Sequence, residues 1–376
     1  MPPEPIDRVL VGAAGSRNRI NTPALLLDLD ALDRNLRHMG HLARAHGRDL
    51  RPHVKTHKCS RLAARQIEAG AVGICCATLD EVEIMAAAGI PGLLLTSPVV
   101  SPEKIGRLVA LARRSPDVMV VADDFANVAA LSAAADGDVT LGVLVELEVG
   151  SRRTGTRSIQ EAVSLAEAVY RSPGLRLAGV QAYAGNLQHV ADAERRASAC
   201  AEVAAVVRRT LSAFEAADMP VGLVTGSGTG SHAIDVADSP FTELQAGSYA
   251  VMDADYLAIE AAPGERWRFE PALLVQTAVI STRPDKAVVV DAGAKALPID
   301  GAPPFVRGSR WGHARYEPAG DEHGRMVMAG KKPAIGDRIE LVVSHCDPTI
   351  ACFDRFHCVR GDVLVDLWPV DARGRL

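Results

Sequence analysis

No stretch of this 376-residue chain approaches the roughly 20 consecutive apolar residues that a membrane-spanning helix needs. The first twenty residues carry Glu4, Asp7 and Arg8 and no long apolar run, so neither a signal peptide nor an anchor is expected there. Basic charge is not in surplus. Lys and Arg number 41 against 46 Asp and Glu, and a net charge of -5 leaves no basic face for nucleic acid or anionic lipid. Cysteines are few and odd in number, 7 in all, and form no C-x-x-C pair, which argues against a disulfide framework or a thiolate zinc knuckle. A Walker lysine, a complete dinucleotide fingerprint, an internal repeat and a low-complexity tract are also missing. The expectation is a cytoplasmic globular protein with reduced thiols, free of membrane and nucleic acid, whose partners are small molecules.

What is present is alternation. Short apolar runs at 50–55, 72–77, 92–97, 118–122, 141–148, 177–183, 221–226 and 242–246 are separated by segments of helical period at 60–69, 79–88, 102–113, 124–134, 159–171 and 191–217. Eight strand-helix units in series predict an α/β fold, a closed (β/α)8 TIM-type barrel over 21–262. A run at 24–29 with a helix at 30–46 precedes the eight and is expected to pack outside the ring. After about Pro263 the texture becomes β-rich, with runs at 273–280, 287–290, 338–343 and 363–367 between Gly/Pro loops. Residues 1–20 plus 263–376 are therefore read as a second, mainly β C-terminal domain.

Barrels of this kind place their chemistry at the C-terminal ends of the strands, often with a phosphate held after strands seven and eight. Thr225-Gly226-Ser227-Gly228-Thr229-Gly230-Ser231 and Gln245-Ala246-Gly247-Ser248-Tyr249 fall at those two places. Their small residues expose backbone N–H groups and hydroxyls suited to a phosphate dianion, although Gly-rich turns also arise for steric reasons alone. The first strand ends in Arg51-Pro52-His53-Val54-Lys55-Thr56-His57-Lys58, where the two-residue period puts 51, 53 and 55 on one face and aims Lys55 at the barrel mouth. There, near His53 or Lys58, it would have the lowered pKa of a Schiff-base lysine; the alternative is a solvated loop lysine. Arg152 and Arg153 after strand five, Tyr183 at the end of strand six and His189 beyond it complete the mouth, each with a plainer alternative as surface charge, core cap or helix N-terminal residue.

In the second domain, Ser344-His345-Cys346-Asp347-Pro348 follows a strand, and the same period puts His345 and Asp347 on one face with Cys346 opposite. One imidazole and one carboxylate make half a coordination shell, and the hard oxygen favours Mn, Mg or Ca over thiolate-bound zinc. The H-x-D pattern by itself is common.

Taken together, Thr22-Pro23-Ala24, the segment from Arg51 to Lys58, Glu243-Leu244-Gln245-Ala246-Gly247-Ser248-Tyr249, Asp291-Ala292-Gly293-Ala294-Lys295-Ala296, Glu322-His323-Gly324 and Ser344-His345-Cys346-Asp347-Pro348-Thr349 resemble the D-threonine aldolase family. They run in order along nearly the whole chain. The wider group is the alanine-racemase-like fold type III of pyridoxal-phosphate enzymes, including eukaryotic-type D-serine dehydratases and 3-hydroxy-D-aspartate aldolases. The resemblance implies pyridoxal 5'-phosphate on Lys55, with Arg153 at its phenolate oxygen, and Tyr183 and Gln245 against the ring. Gly228, Thr229, Gly247 and Ser248 would hold the phosphate. It further implies His189 as general base, and His345 with Asp347 as ligands of a divalent metal, manganese first, with magnesium or calcium also possible. It departs from the family pattern at Ala184, where a His follows the Tyr, and from alanine racemases at Gln245, where an Arg meets the pyridine nitrogen.

The function implied is a metal-dependent lyase cleaving D-threonine and related D-β-hydroxy-α-amino acids to glycine and an aldehyde, in a homodimer. Asp347 favours this over a D-serine dehydratase, which has Cys at that position. A 3-hydroxy-D-aspartate aldolase is a rival activity of the same chemistry, and a non-catalytic pyridoxal-phosphate carrier is a rival of a different class.

Overall fold

A computed structural model describes residues 6–135 and 139–374; residues 1–5 and 375–376 of the expected β domain lie outside them. The barrel staves are β2 (Asp49–Leu50), β3 (Ile74–Cys76), β4 (Leu93–Leu95), β5 (Met119–Ala122), β6 (Leu141–Glu146), β7 (Leu175–Ala182), β8 (Leu223–Gly226) and β9 (Glu243–Leu244), preceded by β1 (Ala24–Asp28). They alternate with helices α1 (Leu29–Ala45), α2 (Ser60–Glu68), α3 (Leu79–Ala87), α4 (Pro102–Ala112), α5 (Phe125–Ala134), α6 (Ile159–Arg171), α7 (Ala193–Ala216), α8 (His232–Ala237) and α9 (Ala254–Leu257). All eight staves are parallel, in the order β2-β9-β8-β7-β6-β5-β4-β3. The ring closes where His53 bridges Cys75 and the Cys75 N–H donates to the Pro52 carbonyl at 2.9 Å.

Burial on both faces explains why these strands read as continuous apolar runs. Cys75, Leu94, Met119, Val121 and Leu144 fill the inside of the ring, while Ile74, Cys76, Leu93, Leu95, Val120, Val143 and Val145 pack outward against the helices. Two residues beyond the apolar inner layer, the same inward direction is taken by Thr96, Glu146 and Gln181, all buried. Polar side chains thus gather at the C-terminal end, while the buried Arg51–Glu243 ion pair closes the other end of the ring. Helices start there on side-chain caps: Asp28 on α1, Thr78 on α3, Ser101 with Pro102 on α4, Asp124 on α5, Ser158 on α6 and Asp192 on α7. Each such cap contributes about 1 kcal/mol.

β1 lies outside the ring, as expected, but it is hydrogen bonded into the second domain, antiparallel to β10 (Leu273–Ser281) and parallel to β16 (Arg355–Arg360). The remaining strands there are β11 (Ala287–Val290), β12 (Phe305–Val306), β13 (Arg315–Pro318), β14 (Gly324–Val327), β15 (Arg338–Val342) and β17 (Val363–Pro369), with helix α10 (Cys346–Ala351) after β15. Successive antiparallel pairings β10-β15-β12-β13-β14-β11 return to β10, so six strands form a closed barrel carrying β1, β16 and β17 as a side sheet. Strands β12, β13, β14 and β16 do not stand out in the sequence because they are short or alternate with charge. In β13 and β14, exposed Arg315 and Arg325 flank buried Tyr316 and Met326. Among the described residues no helix is long and apolar enough to cross a membrane. None of the seven cysteines is disulfide-bonded.

Candidate active site

The first stave does not run on to Lys55. The His53 ring accepts from the Lys55 N–H at 3.3 Å and Val54–Thr56 winds into a 3-10 turn, so the turn, not strand period, aims the lysine. Its Nζ lies 3.0 Å from Asp347 Oδ1, across from the barrel to the second domain. The expected lowering of its pKa is reversed here. Burial pulls it down, but the Asp347 carboxylate outweighs burial and holds it above the ordinary lysine value. Neither cation invoked against it acts so: burial drives the His53 pKa far down, and Lys58 is turned to buried Glu81 in an ion pair.

His345 and Asp347 are likewise not two alternate residues of a strand. β15 ends at Val342, His345 is the residue before α10, and Asp347 sits in the first turn of that helix. They still converge, His345 Nε2 lying 3.7 Å from Asp347 Oδ2, close enough for one cation to bridge at ligand distances of about 2 Å. Asp347 Oδ2 is buried with no hydrogen-bond partner, the mark of an acceptor built for something else. On the other side of the imidazole, Nδ1 lies 2.9 Å from Asp300 Oδ2. That is the carboxylate–histidine arrangement that turns the remaining nitrogen toward a metal. Burial raises the Asp347 pKa, but Lys55 and His345 overcome it and hold the carboxylate below its usual range. Among the described residues no group of three His, Cys, Asp or Glu side chains is placed to hold a metal ion, so His345 and Asp347 stand as a pair.

His189 faces the same space. Its ring packs on Tyr256 with centroids 4.4 Å apart and lies 6.4 Å from the His345 ring. Burial lowers its pKa, Asp255 opposes that and His345 adds to it, leaving a neutral imidazole. Buried Asp253 couples the two domains at this point: one oxygen caps α9, which carries Tyr256, and the other accepts from the Cys346 N–H at 3.0 Å, next to Asp347.

Lys55, Arg153, Tyr183 and Gln245 line one cavity at the barrel mouth with His53, Thr96 and Gln181. The Arg153 guanidinium lies over the Tyr183 ring at 5.8 Å and 3.9 Å from Glu146. The glycines beside it have a steric role that the cofactor reading did not require. A Cβ on Gly228 or Gly230 would meet Gln188 at 2.3 or 1.9 Å, and one on Gly247 would meet Thr56 Oγ1 at 2.8 Å and His53 O at 2.9 Å. Bare backbone thereby lets the His189 loop and the Lys55 turn close onto the cradle. Thr229 Oγ1 accepts from the Tyr249 N–H at 3.0 Å, and Ser248 stands 3.5 Å from Thr56 Oγ1. A lysine, the Tyr183 ring in the cavity wall and hydroxyl-bearing Gly loops fit pyridoxal phosphate; the orphaned Asp347 oxygen fits a hard cation.

Four groups at this site are not apparent from the sequence. Asp300 and Tyr256 reach it across the fold from segments without a motif. Glu146 and Gln181 look like the polar ends of apolar strands, although their inward two-residue spacing is a usable signal.

The alanine racemase N-terminal domain model matches residues 27–255, and a putative serine dehydratase domain model matches 272–359. A 3-hydroxy-D-aspartate aldolase of Paracoccus denitrificans (strain Pd 1222) is 40% identical over 363 residues, 95% of this chain and 93% of the relative. A D-threonine aldolase of Arthrobacter sp is 37% identical with the same coverage. The crystal structure of D-threonine aldolase from Filomicrobium marinum, 41% identical, superposes with a TM-score of 0.90 over 95% of this chain and 97% of that one. With two domains of matching order and full-length identity near two-fifths, this chain belongs to the D-threonine aldolase family of alanine-racemase-like, fold type III enzymes.

Proposed function

We propose that the protein is a pyridoxal-phosphate- and divalent-metal-dependent lyase that splits D-threonine and related D-β-hydroxy-α-amino acids into glycine and an aldehyde. The observation that carries this is the 3.0 Å contact between Lys55 Nζ and Asp347 Oδ1, which brings the cofactor lysine and the metal carboxylate into one site. Lys55 would hold the cofactor, with Arg153 at its rim, Tyr183 and Gln245 on its walls, and Gly228, Thr229, Gly247 and Ser248 at its phosphate. His345 and Asp347 would hold the cation, manganese in this reading. When bound, the cofactor supplies a sink for the electron pair released at Cα, and the cation polarises the substrate's β-hydroxyl.

His189, neutral and braced by Tyr256, takes the β-hydroxyl proton, so that the Cα–Cβ bond breaks as the β-carbon becomes an aldehyde. Asp300 holds the His345 ring while this happens. A proton delivered to Cα completes glycine. A β-carboxylated substrate is a second reading, favoured by a vestibule of about 460 Å³ beside the mouth, where Arg152, Arg153 and Arg157 outnumber Asp123 and Glu148. A cytoplasmic homodimer is proposed by analogy with the fold.

The test is release of acetaldehyde and glycine from D-threonine but not L-threonine, lost on chelation and restored by manganese. Turnover of 3-hydroxy-D-aspartate far above D-threonine selects the second reading. Pyruvate and ammonia from D-serine in place of aldehyde would overturn both.

A further inference from the structure

Inside the barrel end, Gln181 Nε2 lies 3.4 Å from the Thr96 carbonyl oxygen and 3.3 Å from Glu146 Oε1. A backbone carbonyl has no proton to give, so the amide nitrogen of Gln181 belongs on that side. Its oxygen then turns toward Gln245, and accepts from Gln245 Nε2 at 3.0 Å. That bond turns the Nε2 edge of this buried amide toward Gln181 and uses one of its two protons, so the Oε1 edge is the one turned away from Gln181. The neighbouring groups are already engaged. Thr96 Oγ1 donates to the Cys76 carbonyl at 3.0 Å and so accepts from His53 Nε2, also at 3.0 Å.

From this chain we infer that Gln245 presents an acceptor to the pyridine nitrogen of the cofactor, and that the nitrogen therefore carries a proton. The inference rests on the cofactor reading above: with the aldehyde carbon at Lys55 and the phosphate at the Gly loops, the ring nitrogen is left to the inner wall. An unprotonated nitrogen opposite Oε1 would set two lone pairs against each other, whereas a protonated one makes a charge-assisted hydrogen bond. Glu146, 2% exposed, stands at the far end of the chain, where it accepts from Gln181 at 3.3 Å and lies 3.9 Å from the Arg153 guanidinium. A protonated ring withdraws the electron pair at Cα more strongly, which favours carbon–carbon cleavage. Gln181 and Glu146 are positioning residues, acting through Gln245.

The experiment loads the full-length protein with pyridoxal phosphate carrying ¹⁵N at the ring nitrogen and records its chemical shift. Borohydride reduction and peptide mapping are run alongside. We expect the label on Lys55, a ring nitrogen in the protonated shift range in the wild type, and loss of that shift in Gln245→Met, with kcat falling more than KM changes. An unprotonated shift in wild type with the label on Lys55 overturns the inference and leaves the cofactor reading standing. So does a protonated shift unchanged in Gln245→Met. A cofactor that is not bound, or is bound elsewhere than Lys55, overturns both.

Discussion

Single side chains here act through their partners. In the proposed reaction His189 serves as base because burial and His345 keep its imidazole neutral and because Tyr256 packs on the ring. His189→Gln should lower kcat by about 10²–10⁴-fold, the span of one general base, while the visible band of the bound cofactor stays. A kcat within threefold of wild type would remove it from the proton transfer. Asp300 touches no reacting atom, yet its oxygen 2.9 Å from His345 Nδ1 decides which imidazole nitrogen faces Asp347. Asp300→Asn should weaken manganese binding by about 10- to 100-fold in direct titration, with unfolding unchanged. Equal affinity in wild type and variant would show that His345 holds its orientation unaided.

Between elements, the site depends on loops that interlock through missing side chains. The 227–231 loop after β8 accepts Gln188 from the loop after β7, and the Gly230 N–H donates to Gln188 Oε1 at 2.9 Å. A methyl on Gly230 would lie 1.9 Å from the Gln188 carbonyl oxygen, which belongs to backbone and cannot swing aside. Gly230→Ala should therefore cost roughly 1–3 kcal/mol in denaturant unfolding and lower the affinity for pyridoxal phosphate, because the neighbouring residue is His189. A variant with unchanged midpoint and cofactor affinity would mean that the two loops do not need this approach. The glycine runs were legible in the sequence, but their partner was not, since nothing in a local run says which distant loop will pack on it.

Across the whole molecule, buried histidines make stability depend on pH, His57 and His232 among them. His57 and His232 are lowered by burial to about 4, each neutral in the folded protein. Their folded values lie below the unfolded value near 6.5, so the unfolded chain binds more protons between the two. Stability is complete above pH 6.5 and is lost as pH falls toward 4, by up to a few kcal/mol for each group. Urea midpoints measured from pH 7.5 to 4 should fall, and His232→Gln should flatten the decline; a flat wild-type profile would show that both rings are hydrated. At this scale the sequence determined the number of staves, their parallel sense, the β texture after Pro263 and the candidate residues, because two-residue and helical periods are local and each stave sits beside the next in chain order. The tertiary structure alone decided that β1 joins the far sheet, that Lys55 meets Asp347, that Asp300 steadies His345, and that Gln181 turns the amide of Gln245. Those are pairings between segments far apart in the chain, and their directions come from hydrogen-bond donors and acceptors that only meet once the barrel has closed against the second domain.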